Sequence, residues 1–82
     1  MKTQVLVVED DRGMCELLEL GLAKRSFAVR WTTEPTQVLD LLRQSEYDAV
    51  VTDINMPGMN GIELTRQILG SRPDLPVVVI TA

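Results

Sequence analysis

Apolar and polar positions alternate along this chain in two different rhythms. Val5, Leu6, Val7 and Val8 form a continuous apolar run, as do Ala49, Val50 and Val51, and Val77, Val78, Val79 and Ile80. Unbroken runs of this length are expected of parallel strands buried on both faces. Phe27, Val29 and Trp31 instead alternate with Ala28, Arg30 and Thr32, a period of two that predicts a strand with one polar face, suited to a sheet edge.

Between the runs the spacing becomes helical. Met14, Leu17, Leu18, Gly21 and Leu22 recur at three- and four-residue intervals, predicting a helix with these residues as its apolar stripe. Asp11 or Asp10 is its expected N-cap, with Lys24 and Arg25 in its last turn. A second helix is expected to be capped by Thr33, to carry Pro35 in its first turn and to bury Val38, Leu41 and Leu42. A third follows Gly61, with Ile62, Leu64, Ile68 and Leu69 facing inward and Gly70 as its stop. Arg72, Pro73, Asp74, Leu75 and Pro76 read as a loop.

The resulting order, β-α-β-α-β-α-β with short connections, predicts an α/β fold with a parallel sheet and right-handed crossovers. Placing the polar-faced second strand at an edge gives a doubly wound sheet of order 2-1-3-4, whose topological switch point lies between the first and third strands. With 82 residues the chain makes one domain, and no internal repeat or linker interrupts it.

Composition narrows the function. The chain is 45% hydrophobic and 24% charged, the make-up of a soluble globular protein. A net charge of −4 argues against direct nucleic-acid binding by this segment. There is no histidine and one cysteine, Cys15, which excludes an internal disulfide, histidine-based catalysis and the usual zinc sites. Cys15 is expected to be a small apolar residue within the first helix. The N-terminal residues lead directly into a strand, with no signal peptide or membrane span, so the expected location is cytoplasmic.

The candidate chemistry is acidic. Glu9 and Asp10 end the first strand, and Asp53 ends the third just before a loop of Pro, Gly and Asn. An aspartate there is also a common turn residue, but the 2-1-3-4 order makes the two strand ends neighbours. Two charges about 5 Å apart repel by roughly 3 kcal/mol at an effective dielectric of 20. A bound divalent cation relieves that repulsion, and carboxylate, carbonyl and water oxygens suit Mg²⁺. Thr81 ends the fourth strand beside this crevice. The expected reaction is phosphoryl transfer, with Asp53 as nucleophile.

The stretches Val7-Val8-Glu9-Asp10-Asp11, Val51-Thr52-Asp53-Ile54-Asn55-Met56-Pro57-Gly58-Met59-Asn60-Gly61 and Val77-Val78-Val79-Ile80-Thr81-Ala82 resemble, in this order, the receiver domain of two-component response regulators. The resemblance implies a flavodoxin-like fold, Asp53 as the phosphoacceptor, and a cytoplasmic phosphoprotein of signal transduction and transcription regulation. It implies Mg²⁺ held by Asp10, Asp53 and the backbone carbonyl of Asn55, with Glu9 acting through water. It further implies Thr81 as a switch hydroxyl beside the small Ala82, and Pro57 and Gly61 as loop-shaping positions. The donor it implies is a sensor histidine kinase. Such a domain is not an enzyme in the usual sense, catalysing only its own phosphorylation and slow dephosphorylation.

Family members are about half as long again. The fourth helix, the fifth strand with its lysine and aromatic, and the fifth helix have no counterpart in this sequence. The chain is therefore expected to be a partial receiver over residues 1–82, impaired in switching, with an output domain possible beyond Ala82. Its fourth strand is expected to be an apolar edge that invites homo-oligomer formation. Two rivals remain at this stage. One is a non-phosphorylated interaction module that keeps only the fold. The other is a Mg²⁺-dependent aspartyl phosphohydrolase, which generally needs a second Asp where Asn55 stands.

Overall fold

The computed structural model describes residues 2–81; Ala82, and with it the expected small residue beside Thr81, lies outside the described residues. Four parallel strands, β1 (Thr3–Val8), β2 (Phe27–Thr32), β3 (Ala49–Asp53) and β6 (Val77–Ile80), form one sheet in the order β2-β1-β3-β6. This is the 2-1-3-4 order expected for the four runs. The shift in numbering comes from two short strands, β4 (Asn55–Met56) and β5 (Met59–Asn60), paired antiparallel in the loop after β3.

Continuous apolar runs are explained by two-sided burial. Leu6, Val8 and Val50 join one core cluster with Val38, Leu41 and Leu42 of α2 (Val38–Gln44) and Leu64 and Ile68 of α3 (Gly61–Ser71). Side chains alternate across a strand, so Val5 and Val7, also buried, face the other side, where α1 (Arg12–Ala23) packs on β1 and β2. Trp31 serves this edge packing: its Nε1 donates to Glu19 Oε1 at 3.2 Å, and the Arg12 guanidinium lies 5.6 Å from the ring centre.

Several local expectations need correction. Leu17 of α1 is 64% exposed and Cys15 wholly buried, because the helix turns its Cys15 side to the sheet. In α3, Leu64 and Ile68 are buried but Ile62 and Leu69 are exposed; a narrow contact stripe suffices where the helix covers the sheet margin. Helix α1 ends at Ala23, which leaves Lys24 as its C-cap and Arg25 beyond it. The chain enters β2 through Ser26 at φ 67, a left-handed conformation that closes the turn.

Thr33 caps nothing. A 3-10 turn at Pro35–Gln37 precedes α2, and it is Thr32 whose Oγ1 accepts from the Glu34 N–H. Gly70 is not a stop either, since α3 continues to Ser71 with Arg72 at its cap. Arg72 also donates through Nη2 to the Leu42 carbonyl at 2.7 Å, tying the ends of α3 and α2 together. Strand β6 lies at the other sheet edge, as the 2-1-3-4 order places it, but Val78 and Val79 are exposed, so its apolar run is not buried on both faces.

Candidate metal and phosphoryl site

The register of the sheet carries the acids together. Val8 of β1 pairs with Thr52 of β3, and Asp53 pairs with Ile80 of β6. Glu9 and Asp10 thus leave β1 at the level where Asp53 ends β3. One carboxylate oxygen from each of Glu9, Asp10 and Asp53 lies within 4.8 Å of the others. Glu9 and Asp53 are buried, whereas Asp10 is exposed.

The β1–α1 turn is fixed by its own hydrogen bonds. Asp11 is the N-cap of α1, and its Oδ1 accepts from the Gly13 and Met14 N–H groups. Glu9 Oε1 accepts from the Asp11 N–H at 3.1 Å. The Cys15 thiol donates to the Glu9 carbonyl at 3.2 Å. Burial holds that thiol up at about 11, so it stays protonated and serves as a donor.

Asp53 is held as firmly. Its Oδ1 accepts from the Asn55 N–H at 3.3 Å, and its carbonyl accepts from the Thr52 hydroxyl at 3.1 Å. The following loop folds back as the β4–β5 hairpin. Pro57 and Gly58 form its tip, with Gly58 at φ 79, the pairing that a type II turn favours. Asn60 caps α3 by accepting from the Ile62 N–H at 2.7 Å, and the Gly61 N–H donates to the Ile54 carbonyl at 2.8 Å.

The electrostatics make this cluster a candidate cation site. Glu9 Oε2 is the buried side-chain oxygen left without a partner among the described residues. Burial first, and then proton-sharing with Asp10 and Asp53 and the charge of Asp53, push the Glu9 carboxyl from 4.5 up to about 7, against the opposing Asp11 N–H. Once Glu9 is ionised, its buried Oε2 has no donor to accept from, which is costly. A hard divalent cation beside three carboxylates satisfies it, and oxygen donors without sulfur or imidazole fit Mg²⁺.

Thr81 is exposed and follows Ile80, whose carbonyl accepts from the Ile54 N–H at 2.9 Å; that places it one residue past the level of Asp53. A groove of about 400 Å³, lined by Tyr47, Asp48, Arg72 and Asp74 among others, lies at the opposite, amino ends of β3 and β6. It takes no part in this cluster. Sequence reasoning missed the Asn60 cap, although Asn directly before a helix is a recognised signal. It also missed the Cys15 contact, which has no signature in spacing. Among the described residues no helix is long and apolar enough to cross a membrane.

A family model described as the response regulator receiver domain matches residues 5–82. Response regulator MprA of Mycobacterium sp. (strain KMS) is 38% identical over 82 residues, which are 100% of this chain and 36% of that protein. The chain thus spans little more than a third of the length of that curated relative. The response regulator protein TrrA from Thermotoga maritima, solved in complex with Mg(2+)-BeF, superposes with a TM-score of 0.93 at 30% identity, covering 100% of this chain and 70% of that one. A complex of histidine kinase ThkA with TrrA gives a TM-score of 0.91 at 30% identity, with the same coverage.

Proposed function

The chain belongs to the response regulator receiver domain family, and from that premise we propose that residues 1–82 carry the phosphorylation site of a receiver domain, with Asp53 as phosphoacceptor. The observation that carries this reading is the convergence of Glu9, Asp10 and Asp53 within 4.8 Å around an unpartnered, buried Glu9 Oε2. In this proposal Asp10, Asp53 and the backbone carbonyl of Asn55 hold Mg²⁺, with Glu9 acting through water. When bound, the ion offsets the negative charge that gathers on the phosphoryl oxygens and the attacking carboxylate.

The chain's own groups do the rest. The Asn55 N–H on Oδ1 fixes the Asp53 carboxylate, leaving Oδ2 outside that bond to attack phosphorus. A P–N bond to the donor imidazole breaks as the acyl phosphate forms, and the imidazole takes a proton from solvent. Thr81 is proposed to hydrogen-bond the phosphoryl group afterwards, and Pro57 and Gly61 to shape the loop. The donor proposed is a sensor histidine kinase, the class of partner seen with TrrA in the ThkA complex. Turnover is confined to the domain's own phosphorylation and dephosphorylation.

Incubation with Mg²⁺ and a small acyl phosphate tests this directly. An acid-stable, base-labile phosphoryl adduct should form, require Mg²⁺ and vanish in Asp53→Asn. Repeated turnover on phosphomonoesters would instead make the chain a hydrolase. Failure to form any adduct would leave it an interaction module.

A further inference from the structure

The thiol of Cys15 makes an unusual bond. Serine, threonine and cysteine donors inside a helix ordinarily return to a carbonyl three or four residues back on the same helix. Cys15 instead reaches six residues back, past the Asp11 cap, to the carbonyl of Glu9, at 3.2 Å in a fully buried contact. Glu9 stands where β1 has ended, and its N–H donates to the Thr32 carbonyl at 3.2 Å. The two peptide units that flank the Glu9 Cα are therefore each held, Val8–Glu9 from β2 and Glu9–Asp10 from α1.

The side chain on that pinned backbone is the one with the orphaned oxygen. Glu9 Oε2 is buried without a partner in the acidic cluster, in a residue only 3% exposed. The neighbouring Asp10 hangs on the same peptide: the carbonyl that accepts the thiol belongs to the Glu9–Asp10 bond. A small rotation of that peptide moves both carboxylates at once.

We infer that Cys15 is a positioning residue for the divalent-cation site, orienting the Glu9–Asp10 peptide through its bond to the Glu9 carbonyl so that both carboxylates face Asp53. The inference rests on the metal site proposed above. Groups that orient the holders of a metal matter measurably to its affinity, and a weak sulfur donor acting at one remove should fall at the small end of that range.

The test uses Cys15→Ala and Cys15→Val, which bracket the thiol in size and stay apolar but donate nothing, and Cys15→Ser, which restores a donor. Each protein is titrated calorimetrically with MgCl₂, and its unfolding midpoint is measured without metal. Because Cys15 is the sole cysteine, its S–H stretching band in the infrared is assignable in the unmodified chain, and should lie in the hydrogen-bonded range and shift on Mg²⁺ addition. Cys15→Ala and Cys15→Val should both bind Mg²⁺ roughly threefold to tenfold more weakly while at least one of them keeps a metal-free midpoint near that of the parent, and Cys15→Ser should recover most of the affinity. Equal affinity in the parent and in either apolar variant, or a free-thiol band unmoved by Mg²⁺, would overturn the positioning role alone. Absence of Mg²⁺ binding in the parent chain would overturn the metal site and this inference with it.

Discussion

Gly61 sits directly against the main-chain carbonyl of Asp53. A Cβ on residue 61 would overlap that carbonyl oxygen and stand 2.8 Å from the Ile54 Cα. Both obstacles are backbone at the end of β3, and neither can yield like the tip of a flexible side chain. The close approach lets the Gly61 N–H reach the Ile54 carbonyl and starts α3 directly against the end of β3.

Gly61→Ala should therefore cost about 2 kcal/mol or more, in the range of overpacked sites. It should also weaken Mg²⁺ binding, because relief requires Asp53 to move. Urea unfolding and metal titration of the same variant check both effects. An alanine variant with parental stability and affinity would show that the approach is not tight.

A second expectation concerns pH. Glu9 retains its proton up to about 7 in the folded chain against an ordinary value of 4.5. Between those values the folded state binds more protons than the unfolded state, so this group's contribution to stability is complete below about 4.5 and is lost as pH rises through about 7. The loss is on the order of 3 kcal/mol for a group acting alone. Urea midpoints of the metal-free protein should fall across this window, and Glu9→Gln should flatten the fall. Parallel curves for the two proteins would contradict the assignment.

The helix faces give a third. Leu64 is fully buried in the core cluster, whereas Leu17 is 64% exposed. Leu64→Ala should lose about 2–5 kcal/mol and Leu17→Ala less than about 0.5 kcal/mol, as measured by chemical denaturation. Comparable losses would mean that α1 packs through a different face.

This pair also illustrates what could be read in advance. The strand order and the meeting of Glu9, Asp10 and Asp53 were legible because each buried run ends abruptly in charge, and a two-sided strand admits few alternative places in a sheet. Leu17, Ile62 and Leu69 were misread as core because periodicity gives the apolar side of a helix but not how much of the sheet lies beneath it. Thr33 and Gly70 failed for a different reason. Their propensities for caps and stops are real, yet a 3-10 turn at Pro35–Gln37 and the Arg72 cap met the same backbone needs elsewhere. The Cys15–Glu9 bond depends on the closure of one turn, which composition and spacing do not encode.

Locating the phosphoryl group chemically is the most direct trial of the account. After reaction with an acyl phosphate and Mg²⁺, borohydride reduction converts a phosphorylated aspartate to homoserine, and peptide sequencing then finds its position. Modification at residue 53 alone is the result the acidic cluster predicts. Modification at Asp10, Asp11 or Asp48 with Asp53 intact would contradict it.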